Sequence, residues 1–227
     1  MSKNLIRVLV VDDHPIVRSG LTAEINLDPG MQVVGEAEDG VEAVALAHTL
    51  KPDVILMDLM MPEKNGIEAS ADIIRGNPDA CILILTSFTE EEKIYEAIKA
   101  GASGYIFKDK RPNELLQAIR DVHRGIPLLD PAITRRLTRE LRKQEPDLPV
   151  LTEPLTGRES EILQRVAHGA PYKEIAQEMG IRQATVRAHV SSILSKLNLS
   201  NRSQLVLYAI QQNLIELKDG EGKDITG

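Results

Sequence analysis

Five side chains attract attention because each stands where an apolar run ends. Asp12 and Asp13 follow Leu5 to Val11, Asp58 follows Val54 to Met57, Thr86 follows Cys81 to Leu85, and Lys108 follows Tyr105 to Phe107. Carboxylates gathered in one crevice repel, and at about 4 Å each like-charge pair costs on the order of 1–4 kcal/mol, depending on the effective dielectric. Such a group needs a cation. Lys108 can supply an ammonium, and a hard divalent ion is the other candidate. All-oxygen donors favour Mg2+, with Mn2+ as a substitute, over zinc. No His/Cys set has zinc-site spacing, and His14, beside the acidic pair, reads as a loop residue rather than a ligand.

The elements that must position these groups follow from patterning. Strands are expected over Leu5 to Val11, Met31 to Ala37, Asp53 to Met57, Cys81 to Leu85 and Tyr105 to Phe107. Helices alternate with them: Pro15 to about Leu27, Asp39 (as cap) to Leu50, Gly66 to Arg75, Glu90 to Ala100 and Pro112 to Arg124. Continuous apolar strands separated by helices imply a parallel sheet covered on both faces. Functional groups in such sheets collect outside the strands' carboxyl ends, where strand order reverses. For a flavodoxin-like order 2-1-3-4-5 that point lies between the first and third strands, which end at Asp12, Asp13 and Asp58.

Composition bounds the class. The 227 residues suffice for two domains, and 42% hydrophobic with 27% charged residues is the balance of a globular protein. No apolar run reaches the roughly 18 residues of a membrane span, and Met1 to Asn4 lead straight into a strand without a signal-peptide pattern. The lone Cys81 cannot form an internal disulfide, so a reduced, cytoplasmic protein without a membrane partner is expected. Residues 1–127 carry 13 Lys/Arg against 21 Asp/Glu, whereas residues 154–215 carry 7 against 4. An acidic half joined to a mildly basic one suggests two jobs.

The second half reads as all helix. Thr156 and Glu159 form a capping box for a helix to about His168; Pro171 to Met179, Gln183 to Leu197 and about Arg202 to Asn213 follow. Ala176, Gly180 and Val186 have the small, turning and apolar roles of a steep helix pair, the helix-turn-helix arrangement whose second helix enters the major groove. Between the halves, Ala132 to Gln144 has helical spacing with Arg135, Arg136, Arg139, Arg142 and Lys143 on its polar surface, and Pro146, Pro149 and Pro154 end it.

Asp12-Asp13, Asp58 in Asp-x-x-Met-Pro-x-x-x-Gly, Thr86 and Lys108 resemble the receiver domain of two-component response regulators. Leu155-Thr156-x-Arg158-Glu159, Lys173-Glu174-Ile175-Ala176, Thr185-Val186-Arg187-x-His189 and Ile193-x-x-Lys196-Leu197 resemble the LuxR-type output domain of the NarL/FixJ subfamily. The resemblance implies a receiver over residues 1–127, a linker over 128–151, a helix-turn-helix domain over 152–215 and a flexible tail over 216–227. It implies that Asp58 accepts a phosphoryl group from a sensor histidine kinase. Asp12, Asp13, Asp58 and the Met60 carbonyl would hold Mg2+, Lys108 and Thr86 would contact the phosphoryl oxygens, and Tyr105 would move inward with Thr86. On the DNA side it implies base contacts from Arg187 and Ala188 and phosphate contacts from Lys173, Thr185 and Lys196, with His189 a further candidate. Ser191 and Ser192 stand where relatives often carry basic residues, implying dependence on a homodimer, for which Leu205, Val206 and Ala209 resemble the dimer surface.

Three further expectations follow. Met60 and Phe88 are apolar at the positions that flank the hydrolytic water in this family, so self-dephosphorylation should be slow. Asp109 replaces the proline that often follows the lysine, which puts a cis bond at Lys108–Asp109 in question. In the unphosphorylated form the receiver would mask the recognition helix or the dimer face. The rival readings are a metal-dependent phosphohydrolase with Asp58 as nucleophile, and a DNA-binding regulator independent of phosphorylation. A non-enzymatic transcription regulator is the preferred one.

Overall fold

A computed structural model describes residues 5–87, 91–126, 128, 154–199, 201–212 and 214. The chain divides into two compact units after Leu128. In the first, β1 (Ile6–Val11), α1 (Pro15–Leu27), β2 (Met31–Ala37), α2 (Gly40–Leu50), β3 (Val54–Asp58), α3 (Gly66–Gly76), β4 (Ile82–Thr86), α4 (Glu91–Ala100), β5 (Gly104–Phe107) and α5 (Pro112–Arg124) follow in order. The five strands form one parallel sheet in the order β2-β1-β3-β4-β5, as expected from apolar runs that are unbroken in β3 and β4 and interrupted only by Arg7 in β1, with the edge strand β2 more polar at Gln32 and Glu36.

Alternation across the strands explains the two-sided cover. Val8, Val10, Val54, Leu56, Leu83 and Leu85 share a core with Ile25 of α1 and with Leu115, Ile119 and Val122 of α5. The intervening Leu9, Val11, Ile55, Met57, Ile82 and Ile84 are equally buried. They need cover on the other face, where α2, α3 and α4 contribute the buried Ala43, Ile73 and Ile98.

Strand register sets the site. Val11 lies beside Met57, so Asp12 and Asp58 emerge next to each other at the carboxyl rim; Asp58 pairs with Leu85, and Thr86 with Phe107. Lys108 N–H donates to the Thr86 carbonyl at 2.8 Å, which pins the lysine to the same rim. The Lys108–Asp109 bond is trans.

The second unit contains α6 (Gly157–Ala167), α7 (Tyr172–Glu178), α8 (Gln183–Lys196) and α9 (Arg202–Gln211). Thr156 caps α6 through the expected box with Glu159. Gly180 adopts φ +63° in the turn between α7 and α8, a conformation that β-carbon sterics disfavour in other residues. Ala176 and Val186, 6% and 0% exposed, join Ile162, Leu163, Ile175, Val190 and Ile193 in a single core. The expected polar helix over Ala132 to Gln144, the tail from 216 and Phe88 lie outside the described residues. Among the described residues, no helix is long and apolar enough to cross a membrane.

Candidate functional site

The rim of the sheet gathers the groups that ended the apolar runs. Lys108 Nζ lies 2.7 Å from Asp12 Oδ2 and 2.9 Å from Asp58 Oδ2. Asp12 is fully buried and Asp58 nearly so, while Asp13 is partly exposed. Burial pushes the Asp58 carboxyl above its ordinary value; the Lys108 ammonium opposes the rise, and Asp12 and Asp13 add to it. Burial works against the charge on Lys108, but its hydrogen bonds to Asp12 and Asp58 prevail and raise its pKa. Among the described residues three carboxylates meet one ammonium here, which leaves two negative charges to be met by something else. That donor set, hard oxygens with a divalent deficit, fits Mg2+.

The loop after β3 is held close against the end of the strand that carries Asp58. Gly66 N–H donates to the Leu59 carbonyl at 3.0 Å, closing the loop onto the strand end. A β-carbon at Gly66 would stand 2.1 Å from the Asp58 carbonyl oxygen, so no larger residue fits there. Asn65 caps α3 with a complete box to Glu68, which fixes where the loop stops. Met60, two residues past Asp58, is half exposed.

Thr86 is 3% exposed at the end of β4. Tyr105 is buried, its ring edge-on to Phe107 at 5.5 Å between centroids. One neighbour was not foreseen. The chain beyond α5 returns to the sheet edge: Tyr105 N–H donates to the Leu128 carbonyl at 3.1 Å, and Leu128 N–H to the Ser103 carbonyl at 3.3 Å. Gly104 permits this approach, since a β-carbon there would lie 2.7 Å from both Leu128 Cβ and its carbonyl oxygen.

His14 lies in the loop before α1, as expected, and its ring turns towards the acidic pair. Its ring nitrogen Nδ1 lies 2.6 Å from Asp13 Oδ1, and single donor atoms of Asp12, Asp13, His14 and Asp58 all fall within 4.8 Å of one another. Arg18, also unforeseen, donates to the Asp12 carbonyl at 2.6 Å and so braces the acidic turn.

In the second unit, α8 has a buried stripe of Val186, Val190, Ile193 and Leu194. On its opposite side Arg187, Ala188 and Ser191 are exposed at helical spacing, with Ala184 and Ser195 extending the row. Lys173 is exposed on α7, and Thr185 and His189 are partly exposed. A helix face of small side chains with one arginine can approach a duplex closely.

Two expectations are revised by the geometry. Lys196 Nζ donates to Glu159 Oε2 at 2.8 Å, so its ammonium is engaged within the unit rather than held out for a phosphate. Glu159, 4% exposed, also accepts from Ser192 Oγ at 2.8 Å and from Thr156 N–H at 2.8 Å. Leu205 and Ala209 are 0% and Val206 7% exposed. Leu205 and Ala209 face this unit's own core, so these three residues do not form an open dimer surface here.

Comparison with known proteins resolves what such a pair of units is. The response regulator receiver domain model matches residues 8–120, and the bacterial regulatory protein, luxR family, model matches residues 153–209. The chain belongs to the two-component response regulators. It is 44% identical to the transcriptional regulatory protein LiaR of Bacillus subtilis (strain 168), over 93% of this chain and all of LiaR. It is 43% identical to the transcriptional regulatory protein YxjL of the same strain, over 95% of this chain and all of YxjL. A structure of two RcsB dimers bound to two parallel DNAs matches with a TM-score of 0.53 and 26% identity, covering 92% of this chain and 99% of that one. As a response regulator with a LuxR-family output domain, the chain is a DNA-binding transcription regulator.

Proposed function

We propose that Asp58 is the phosphoacceptor, that Mg2+ is held by Asp12, Asp13, Asp58 and the Met60 carbonyl, and that the phosphorylated receiver promotes operator binding by a homodimer. The observation that carries this reading is the under-neutralised rim, in which Asp58 shares one lysine with Asp12 and retains room for added positive charge. Phosphoryl transfer depends on in-line placement and charge neutralisation more than on covalent assistance. An Asp58 oxygen attacks phosphorus on a phosphohistidine of the sensor kinase; the P–O bond forms as the P–N bond breaks, and the released imidazole takes a proton from solvent. The bound divalent ion would supply charge neutralisation. Lys108 would follow the new phosphoryl oxygens, and the Thr86 hydroxyl would donate to them. The acyl phosphate carries roughly one more negative charge than the carboxylate it replaces and adds acceptor oxygens, which biases the packing of Thr86 and Tyr105.

On the output side, Arg187 and Ala188 are assigned to base edges, with Lys173, Thr185, His189 and Ser191 near the backbone. The DNA-bound RcsB dimers support a paired arrangement for this chain. With operator DNA as its partner, the chain works in the cytoplasm. Intact mass after exposure to a small-molecule phosphodonor with Mg2+ tests the acceptor. One phosphoryl group should be gained, and neither Asp58→Asn nor chelated wild type should gain it. Steady release of inorganic phosphate from small esters would instead support a phosphohydrolase.

A further inference from the structure

We infer that His14 adds an imidazole donor to the acidic pocket and makes it a site for a late first-row divalent cation, of the Co2+ or Zn2+ class, as well as for Mg2+. The inference rests on the metal-binding reading of the pocket above and adds a residue to it. His14 occupies the N-cap of α1, yet its side chain makes no capping hydrogen bond to the helix. Cap side chains ordinarily accept from the first free N–H groups of the helix. This one turns to the carboxylates instead, with Nδ1 2.6 Å from Asp13 Oδ1 and 3.6 Å from Asp12 Oδ1.

The geometry suits a shared ion. A six-coordinate cation with bonds of about 2.1 Å holds neighbouring ligands about 3 Å apart and opposite ones about 4.2 Å apart. The four donors from Asp12, Asp13, His14 and Asp58 fall within 4.8 Å of one another. The turn that carries the ring is fixed on both sides. His14 N–H donates to Asp12 Oδ1 at 2.9 Å, and Arg18 holds the Asp12 carbonyl. Pro15 then starts the helix and restricts the backbone immediately after the histidine. At 69% exposure the ring is open to an arriving ion.

Donor chemistry assigns the ion class. Mg2+ takes oxygen and dehydrates reluctantly, so a nitrogen beside three carboxylates contributes little to its binding. Imidazole suits the later divalent ions, whose affinity rises along the series towards copper. The consequence is a change in preference between ions.

Calorimetric titration of the full chain with CoCl2 and with MgCl2, in wild type, His14→Ala and Asp13→Asn, tests this, with the visible spectrum of bound Co2+ recorded alongside. His14→Ala should lower the Co2+ to Mg2+ affinity ratio at least tenfold and alter the Co2+ spectrum as a nitrogen ligand is lost. An unchanged ratio and spectrum would overturn the role of His14 while leaving the pocket intact. If wild type binds neither ion, or Asp13→Asn binds Mg2+ as wild type does, the pocket reading fails as well.

Discussion

Each unit buries a carboxylate against a lysine far along the chain, and the two arrangements have opposite electrostatic balance. At the receiver rim Asp58 shares Lys108 with Asp12, and burial drives its pKa up. In the output unit Glu159 is met by Lys196, Ser192 and Thr156, and these partners, Lys196 foremost, lower its pKa to about 2. The first is acid in excess of its cations, a site left open to ligand charge. The second is saturated, and it ties the start of α6 to the end of α8. Similar ingredients leave an open acidic site in one place and a closed clamp in the other; the number of partners per carboxylate separates them.

The largest effect expected of that contrast is in the clamp. Glu159→Ala leaves the Lys196 ammonium without its carboxylate and should cost about 3 kcal/mol, read as faster hydrogen exchange of the α6 and α8 amides. Lys196→Ala should cost a similar amount, whereas replacing both by apolar residues should cost less than either alone. If Lys196→Ala instead weakens DNA binding at unchanged stability, Lys196 is a phosphate contact and the clamp is misassigned.

Lys108→Ala should cost the receiver about 2 kcal/mol in metal-free buffer, since three carboxylates then face one another uncompensated. Much of this should return with Mg2+ at about a hundred times its Kd, where binding contributes about 2.7 kcal/mol. The Glu159→Ala deficit should ignore Mg2+. Equal responses in denaturant titrations would erase the distinction between open and saturated sites.

Gly104→Ala sharpens the comparison from outside both sites. Its β-carbon would collide with Leu128, so the return of the chain to β5 should be lost at a cost of about 1–2 kcal/mol. Phosphodonor labelling of Asp58 should persist, and the hydrogen exchange of the Tyr105 amide, which donates to Leu128, should rise. Retained protection of that amide would show that the sheet edge adapts.

Acid gives the smallest signal. Glu159 has a folded pKa of about 2 against an ordinary 4.5, so its contribution is complete above pH 4.5 and drains away as pH falls towards 2. By pH 4 the loss should be under about 1 kcal/mol, and Glu159→Gln should remove that portion of the acid dependence. A pH profile identical in Glu159→Gln and wild type would contradict the lowered value.

Most of the receiver is legible because β3 and β4 are uninterrupted apolar runs and β1 is broken only at Arg7, and the strands that bear the site each give way to a polar residue at the rim. Asp12, Asp58, Thr86 and Lys108 could be placed at one rim from that pattern alone. The return of Leu128 to β5 was not legible, for a single bridging residue has no periodicity. The turn of His14 towards Asp13 depends on a side-chain rotamer, which spacing does not encode. Glu159 was read correctly as half of a capping box, but its pairing with Lys196 spans 37 residues and leaves no local trace. In α9, Leu205, Val206, Leu207, Tyr208, Ala209 and Ile210 run apolar around the helix. Nothing in that run says which side meets the core, so Leu205 and Ala209 were expected on a surface and lie inside.

The central claim is that charge stored on Asp58 governs how the output unit grips DNA. Affinity for operator DNA, selected from genomic fragments by the phosphodonor-treated protein, tests it directly when measured for wild type and Asp58→Asn with and without phosphodonor. The account predicts at least tenfold tighter binding by phosphodonor-treated wild type and no response in Asp58→Asn. Equal affinity in all four conditions would contradict it and leave a DNA-binding protein that its receiver does not control.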